Sequence, residues 1–329
     1  MKKLTTFLVL TAFMTLGLLT VHSNAEAKTI ELKFGHVGAP GSLFLACADE
    51  FAKRANAKLG DKAQIVTFGS SQLGKDQELL KKLKLGTIAF SLPSTVMSSV
   101  VDEFGVFEMP YLVLDRGHMR KIRDEVFWSM VAPKVEAEGY KVVAVWENGF
   151  RNITNNVKPI NTPADLQGVK LRTPKGEWRV KMFKAYGANP TPMALSEVFV
   201  ALQTGVIDGQ ENPFTQIFSQ KFHEVQKYLS LSGHVYTPAY LLTGKKTWDS
   251  LPADVQKILK DEAVGMQEWV YETAEKMETD LLNKMKDSVE INEVDKQAFV
   301  DASGPIYQEF GTKVSGGKDL IDKVQALAK

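Results

Sequence analysis

The chain has 329 residues, of which 44% are hydrophobic and 24% charged, a composition typical of a globular protein long enough for two domains. Its 40 Lys and Arg against 39 Asp and Glu give a formal charge of +1, which argues against a general nucleic-acid binder. One cysteine excludes an intramolecular disulfide, and five scattered histidines argue against a histidine metal site. We therefore expect neither a metal nor a cofactor.

The first 27 residues have the features of a secretory signal peptide. Lys2 and Lys3 precede a nearly uncharged run over 4–20, and Ala-Glu-Ala at 25–27 fits a signal-peptidase site. The run is short and rich in Thr for a membrane span, so an N-terminal anchor is the weaker alternative. We predict cleavage near Ala27 and a soluble periplasmic protein. Loss of Lys2, Lys3 and Glu26 leaves the mature chain without net charge.

Strands and helices are predicted to alternate in the first half of the chain. Strands are predicted over 29–37, 64–68, 87–92 and 140–146, and helices over 43–59, 76–85 and 117–130. In the first helix, which Ser42 caps and Gly60 ends, apolar residues recur from Phe44 to Leu59 at spacings of three and four. This order predicts a mostly parallel sheet with helices on both faces.

The same alternation starts again after residue 150. The pattern predicts a strand over 169–172, a helix over 176–186 that Gly187 ends, a helix over 197–204 capped by Ser196, and a strand over 206–209. Pro252 then opens a helical pattern that runs to about Met285. About 30 helical residues make about 45 Å, enough to run across two units. The sequence therefore predicts an α/β protein of two units.

The segment Gly69-Ser-Ser-Gln-Leu-Gly-Lys-Asp76 resembles a phosphate-binding loop, because it lies between a predicted strand and a predicted helix. Asp76, however, stands where such a loop needs Ser or Thr to hold Mg²⁺. We interpret the segment as a polar loop, with Asp76 favourable to the helix dipole. The chain also lacks the G-x-S-x-G and H-E-x-x-H motifs, which argues against a hydrolase.

Arg151, Arg172 and Asn212 each follow or end a predicted strand. Ligands of open α/β sheets bind outside the carboxyl ends of strands, so these side chains are placed to reach a crevice. A guanidinium holds a carboxylate through two parallel hydrogen bonds, and an amide both donates and accepts. The alternatives are that one or both arginines pair with surface acids and that Asn212 serves only a turn.

Three segments carry a family resemblance. They are N-G-F-R-N-I-T-N-N at 148–156, G-V-K-L-R-T-P at 168–174 and G-A-N-P-T-P-M-A-L-S-E-V-F-V-A-L-Q-T-G-V-I-D-G-Q-E-N-P at 187–213. Together with S-S-Q-L-G at 70–74, they resemble the extracytoplasmic solute-binding proteins of TRAP transporters, the DctP family. The resemblance runs from about residue 29 to 284 and is weaker beyond.

This resemblance implies a two-lobed type II periplasmic-binding fold, with a long helix that braces both lobes and an organic acid in the cleft. It implies that Arg172 forms a salt bridge with the ligand carboxylate and that Arg151 and Asn212 contact the ligand. Lobe I is expected over 28–148 plus about 238–277, and lobe II over 149–237 plus about 278–329. The remaining candidate specificity residues are His36, Lys75, Ser94, Thr95, Trp146, Lys175, Glu177 and Tyr236.

The predicted function is that of a periplasmic receptor that delivers a small organic acid to a TRAP membrane permease without catalysis. The polar candidates favour a hydroxy acid or a sugar acid such as a uronate; Val37, Lys75, Ser94 and Leu195 differ from the sialic-acid-binding members. A 2-keto acid or C4-dicarboxylate is the alternative ligand. A secreted α/β hydrolase and a ligand-binding sensor are the alternatives from other classes. We expect a monomer, which closes its lobes on the ligand.

Overall fold

The computed structural model describes residues 29–328, so the predicted signal peptide lies outside the described residues. Its centre is one nine-stranded sheet with the order β2-β1-β3-β8-β4-β7-β5-β6, and β9 pairs with β8. The strands are β1 (Ile30–Gly35), β2 (Ala63–Phe68), β3 (Phe90–Ser91), β4 (Tyr140–Asn155), β5 (Lys170–Thr173), β6 (Asn189–Pro192), β7 (Gly209–Asn212), β8 (Tyr228–Gly244) and β9 (Glu290–Glu293).

The sheet is parallel toward its edges and antiparallel at its centre. β1 pairs in parallel with β2 and β3, and β5 with β6 and β7, whereas β4 and β8 run antiparallel to each other along nearly their whole length. The prediction of a mostly parallel sheet missed this central pair. The strand predicted over 140–146 continues to Asn155, because Gly149, at φ +121°, lies at a register shift and does not turn the chain. β4 and β8 thereby connect the two halves of the sheet.

Helices cover both halves, and the first, second, fifth and sixth of them begin and end within two residues of the predicted bounds. They are α1 (Leu43–Leu59), α2 (Asp76–Leu85), α3 (Arg116–Ile122), α4 (Ala132–Ala137), α5 (Glu177–Ala185), α6 (Leu195–Gln203), α7 (Phe214–Ser219), α8 (Lys245–Ser250), α9 (Ala253–Gly265), α10 (Gln267–Met285), α11 (Lys296–Ala302), α12 (Gly304–Lys313) and α13 (Gly317–Ala326). A π-helical stretch, Arg123–Val131, joins α3 to α4. Among residues 29–328, none of the helices combines the length and the hydropathy of a membrane-spanning segment.

The amphipathic pattern of α1 is confirmed. The Ser42 hydroxyl accepts a hydrogen bond from the Leu45 backbone N–H at 3.2 Å, as an N-cap does, and Gly60 ends the helix at φ +56°. The apolar face from Phe44 to Leu59 is buried against the sheet. The hydrophobic effect therefore fixes this helix on the first half of the sheet, and the loop before it, which follows β1, is held near the sheet's carboxyl edge.

Two predictions in the second unit were wrong in detail. α6 begins at Leu195, and the Glu197 carboxylate accepts from the Ala194 N–H at 3.1 Å, so Ser196 lies inside the first turn rather than at the cap. The strand predicted over 206–209 lies instead at Gly209–Asn212. Asn212 is therefore the last residue of β7 and does not follow the strand in a loop.

The helix predicted from Pro252 to about Met285 is two consecutive helices. α9 and α10 are separated at Met266, whose φ of −96° and ψ of 3° leave the helical range. α9 packs on α1, and α10 packs on β4 and α7, so the two helices together contact both halves of the sheet. The chain thus passes between the halves along β4, β8 and α10.

The interior contains two groups of buried apolar residues. The larger one surrounds Phe34, Phe51 and Trp146, whose rings meet edge to face at 5.7 to 6.3 Å. The smaller one includes Leu171 and Phe183 and lies within the second half of the sheet. Polar side chains, including Arg151, Arg172 and Asn212, line the groove between the halves.

Candidate ligand-binding site

A cavity lies between the two halves of the sheet. Its walls come from the segments that follow β1 and β3, from β4, and from the carboxyl ends of β5 and β7, where ligands of α/β sheets bind. It is lined by Val37, Phe44, Asp76, Ser94, Thr95, Val96, Asn148, Arg151, Arg172, Pro174, Leu195, Asn212 and Gln216. An adjoining cavity of about 180 Å³ shares Asp76, Val96, Arg172 and Pro174 and is also lined by Lys75 and Lys175.

Arg172 is a buried cation near two carboxylates, those of Glu211 and Asp76, neither of which forms an ion pair with it. Its Nε and Nη2 atoms donate to the Met193 carbonyl at 3.1 and 2.7 Å, and the residue is 3% exposed. Arg172 forms no ion pair with any carboxylate of residues 29–328, although it lines both cavities. Burial, and then the positive charge of Arg151, lower the pKa of Arg172 to about 10, so it stays protonated at neutral pH. Such a group attracts an anion.

Arg151 lines the same cavity but already has an acidic partner. Its Nε donates to Glu211 Oε2 at 2.5 Å, and its Nη2 donates to Glu211 Oε1 at 2.9 Å and to Asn212 Oδ1 at 3.0 Å. Glu211 also accepts from Arg179 Nη1 at 2.6 Å and lies 3.2 Å from His234 Nε2. Burial alone would raise the pKa of Glu211, but Arg151 and Arg179 outweigh it and hold that pKa well below its usual range.

Asn212 is oriented by two neighbours. Its Oδ1 accepts from Arg151, and its Nδ2 donates to Gln210 Oε1 at 2.6 Å. Arg151 therefore does pair with an acid, but this acid, Glu211, is buried and not a surface residue, and Arg172 forms no such pair within residues 29–328. Ligand contact by Arg151 and Asn212 remains a prediction, supported by their place in the cavity wall.

The other predicted residues divide into two groups. Ser94 and Thr95 line the cavity, and Lys75 and Lys175 line the adjoining one. Lys75 also forms an ion pair with Glu197 across the two halves, at 2.5 Å.

Four predicted residues line neither cavity. The His36 Nδ1 atom accepts from the Gly38 N–H at 3.2 Å, and burial lowers the pKa of His36 to about 4, which keeps it neutral. The Trp146 indole lies in the core and donates to the Ala263 carbonyl at 2.9 Å. The Tyr236 hydroxyl donates to Glu147 at 3.1 Å, and exposed Glu177 pairs with Lys181. Their partners give Trp146, Tyr236 and Glu177 a structural explanation, whereas the buried Nε2 atom of His36 has no hydrogen-bond partner within residues 29–328.

Asp76, Asn148 and Gln216 line the cavity but were not among the predicted ligand contacts. Asn148 is part of the N-G-F-R motif, and Gln216 lies one helical turn beyond the E-N-P motif, so both were within reach of a motif-based search. Asp76 was interpreted only as a partner of the helix dipole. Residues 29–328 contain no group of three or more His, Cys, Asp or Glu side chains that could hold a metal ion.

Comparison with known proteins agrees with this architecture. The family model described as bacterial extracellular solute-binding protein, family 7 (DctP), matches residues 34–313. The 2,3-diketo-L-gulonate-binding periplasmic protein YiaO of Escherichia coli is 32% identical over 313 residues, which cover 94% of this chain and 95% of YiaO.

Two solved structures have the same fold. The sugar acid binding protein DctPAm of Advenella mimigardefordensis, in complex with galactonate, is 33% identical at a TM-score of 0.87, over 92% of this chain and 98% of that one. A TRAP periplasmic solute binding protein of Sulfurospirillum deleyianum with bound succinate is 32% identical at a TM-score of 0.87, over 92% and 100%. This chain therefore belongs to family 7 of the bacterial extracellular solute-binding proteins, the DctP family of TRAP transporter receptors.

Proposed function

We propose that this receptor binds a small hydroxy or sugar acid by its carboxylate and delivers it unchanged to a TRAP membrane permease. The observation that carries this proposal is Arg172, a buried cation at the cavity that forms no ion pair within residues 29–328. A ligand carboxylate supplies the missing charge and accepts the remaining N–H groups of the guanidinium. Asn212 and Arg151 are the proposed neighbouring contacts.

The ligands of the relatives support an organic acid. YiaO is named for 2,3-diketo-L-gulonate, DctPAm was solved with galactonate, and the Sulfurospirillum deleyianum protein with succinate. All three ligands carry a carboxylate, and two of them carry several hydroxyl groups. We therefore propose first that the ligand of this chain also carries a carboxylate.

The proposed mechanism is closure of two lobes on the ligand. Lobe I consists of 28–148 and about 238–277, and lobe II of 149–237 and about 278–329. A ligand that touches Thr95 from lobe I and Arg172 from lobe II contacts both lobes only when they are closed, so it favours the closed state.

We also propose that the receptor is monomeric and that it is exported with cleavage near Ala27. N-terminal sequencing of the periplasmic protein should therefore begin near Lys28.

The direct test is native mass spectrometry of the protein as purified, followed by calorimetry with the acid found and with its methyl ester. The ester keeps the shape of the ligand but lacks its charge. We expect heat of binding for the acid and none for the ester. Equal affinity for both would remove Arg172 from the site, and turnover of the bound acid would favour an enzyme.

A further inference from the structure

A buried ion pair connects the two proposed lobes behind the ligand cavity. Glu108 is the last residue of the 3₁₀ helix Asp102–Glu108, in lobe I, and its Oε2 atom lies 2.8 Å from Nη2 of Arg179, on α5 in lobe II. Both side chains are fully buried. A buried pair is stable only when good geometry offsets the water that both charges lose. The charge of Glu108 therefore depends on how well its surroundings replace that water.

The surroundings of Glu108 replace this water poorly. The contact is not aligned as a hydrogen bond, so Glu108 Oε2 and Arg179 Nε and Nη2 have no hydrogen-bond partner within residues 29–328. Glu108 lines a small void that has no room for a water molecule. Burial raises the pKa of Glu108 to about 7, and the charge of Arg179 opposes this rise only in part. Both charge states of Glu108 are therefore populated near neutral pH.

Glu108 does not line the ligand cavity, but two contacts connect it to the cavity wall. Arg179 also donates through Nη1 to Glu211 Oε2 at 2.6 Å, and Glu211 pairs with Arg151, which lines the cavity. In addition, Thr95 lines both the cavity and the void beside Glu108. Glu108 is thus separated from the cavity by single side chains, and any effect on the ligand passes through them.

The charges around Glu108 balance only when Glu108 is ionised. Burial lowers the pKa of His234 to about 4 and raises that of Tyr240 well above its ordinary value, so both are neutral. Two arginines then face two glutamates, and protonation of Glu108 leaves one positive charge beside the cavity, which stabilises an anion bound there. The titratable and charged groups that face Glu108 or its partners are Arg179 of α5, Arg151 of β4, Glu211 of β7, and Tyr240 and His234 of β8.

We propose that Glu108 is a positioning residue, which acts through Arg179 and takes up a proton from solution when the ligand carboxylate enters the cavity. This inference rests on the proposed function and adds its regulation by pH. The charge of the ligand repels the Glu108 carboxylate in a region of low dielectric constant and favours its neutral form. The complex then holds a proton that the free protein has lost, so affinity falls as the pH rises above about 7.

Calorimetry at pH 6, 7 and 8 tests this linkage, with galactonate and with the acid retained on the purified protein. Glu108→Gln places a neutral group of the same shape at this position and imitates the protonated acid. We expect the affinity of the wild type to fall about tenfold more between pH 6 and pH 8 than that of Glu108→Gln, which corresponds to a shift of about one unit in the pKa of Glu108 on binding. Asp76, whose pKa burial raises to about 6, affects both proteins alike.

Titration at pH 8 in phosphate and in Tris, which differ in their heat of ionisation, counts the protons directly. The wild type should take up a fraction of a proton that Glu108→Gln does not. Glu103→Gln is the matched control, because it makes the same change in the same 3₁₀ helix, where Glu103 pairs with Lys134 and lines neither cavity. It should keep the pH profile of the wild type.

Parallel pH profiles of the wild type and Glu108→Gln would overturn the inference and leave Glu108 a structural residue of a carboxylate receptor. If Glu108→Gln does not fold, proton uptake by Asp76→Asn decides, because Asp76 then contributes nothing and uptake at pH 8 supports Glu108, whereas its absence overturns the inference. Failure of every acid to bind at any pH, with none retained on the purified protein, overturns the proposed function and this inference with it.

Discussion

Arg151 and Arg172 lie in the same cavity wall but differ in what their guanidinium groups contact. Arg151 donates three hydrogen bonds to Glu211, two of them to its carboxylate in a buried ion pair, whereas Arg172 donates only to the Met193 carbonyl within residues 29–328. Two arginines that look alike in the sequence therefore have different tasks. Arg151 neutralises a buried acid and orients Asn212, and Arg172 keeps its charge available.

Substitution of Arg172 should weaken binding without unfolding the protein. A Lys at this position keeps the charge but loses the planar fork that holds a carboxylate through two hydrogen bonds. We expect Arg172→Lys to cost about 1.5–3 kcal/mol of binding free energy, which is roughly ten- to a hundredfold in affinity. Arg172→Ala should be weaker still, and both variants should melt near the wild type when empty. Calorimetric titration and melting curves measure both effects, and wild-type affinity in the Lys form would rule out bidentate binding.

Arg151→Met is the matching control, because it should affect stability as well as binding. It leaves Glu211 buried with Arg179 and His234 as its remaining partners. Removal of one partner from a buried ion pair costs about 3–5 kcal/mol of unfolding free energy, and we expect the lower end because Arg179 remains. Urea unfolding of the empty protein measures this cost. Equal stability of the Arg151 and Arg172 variants would contradict the division of tasks.

Asp76 predicts a pH dependence of stability. Burial raises the pKa of Asp76 from 3.8 to about 6, and the charge of Arg172 opposes the rise only in part. Between these pH values the folded state holds a proton that the unfolded state has lost, so the contribution of Asp76 to stability falls as pH rises through this window. The Asp76→Asn variant has no carboxyl group at this position, so its stability does not fall in this way as the pH rises.

We therefore expect Asp76→Asn to gain stability relative to the wild type by about 1 kcal/mol between pH 4 and pH 6, a value reduced for the partial exposure of the carboxyl group. Urea unfolding of both proteins at pH 4, 5, 6 and 7 measures the difference. Parallel stability curves across this range would show that the carboxyl of Asp76 is solvated like that of a surface residue.

At the scale of elements, an ion pair joins the start of α2 to α6 beside the adjoining cavity, which Lys75 lines. Lys75 immediately precedes α2, Glu197 lies in the first turn of α6, and their side chains are 44% and 47% exposed. Glu78 accepts from the Lys75 backbone N–H at 3.0 Å and fixes the start of α2. The pair therefore connects two helix N-termini that belong to different lobes in our proposal.

Charge reversal at this pair should shorten the residence time of the ligand. Lys75→Glu places two carboxylates beside the adjoining cavity and disfavours closure, so we expect dissociation to accelerate by less than about tenfold, an effect that salt screens. Lys75→Glu combined with Glu197→Lys should restore the wild-type rate. Stopped-flow dissociation at low and high salt is the measurement, and failure of the double variant to recover would assign the effect to local damage instead of the pair.

At the scale of the whole molecule, β4 and β8 connect the two halves, and we propose that the halves move about this connection. Their pairing shifts register between Glu147 and Gly149 and again between Arg151 and Ile153. Register shifts interrupt the ladder of backbone hydrogen bonds and let strands bend. The cavity lies beside these shifts, because Asn148 and Arg151 line it.

Ligand binding should therefore make the molecule more compact. The proposed contacts come from both lobes and are complete only in the closed state, which a ligand favours in proportion to its extra contacts there. Small-angle scattering of the ligand-free protein, prepared by unfolding and dialysis, should give a larger radius of gyration than the protein saturated with its acid. Identical profiles in the two states would contradict closure.

The sequence by itself determined the features that depend on neighbouring residues. α1 is capped by Ser42 and ended by Gly60, and α2 spans 76–85, as their local patterns indicate. The candidate anchor Arg172 and the family motifs were also readable, because a motif preserves the local geometry that places a side chain at a strand end. Each of these signals depends on residues that lie close together in the sequence.

Only the tertiary structure decided which distant side chains meet. It pairs Arg151 with Glu211, buries Trp146 in the core, and breaks the predicted long helix at Met266. Asn148 and Gln216 come from separate elements, and within residues 29–328 the fold brings no hydrogen-bond donor to the side-chain oxygen of either residue. A local pattern gives the residue and its element, but burial and hydrogen-bond partners depend on the packing of segments far apart in the chain.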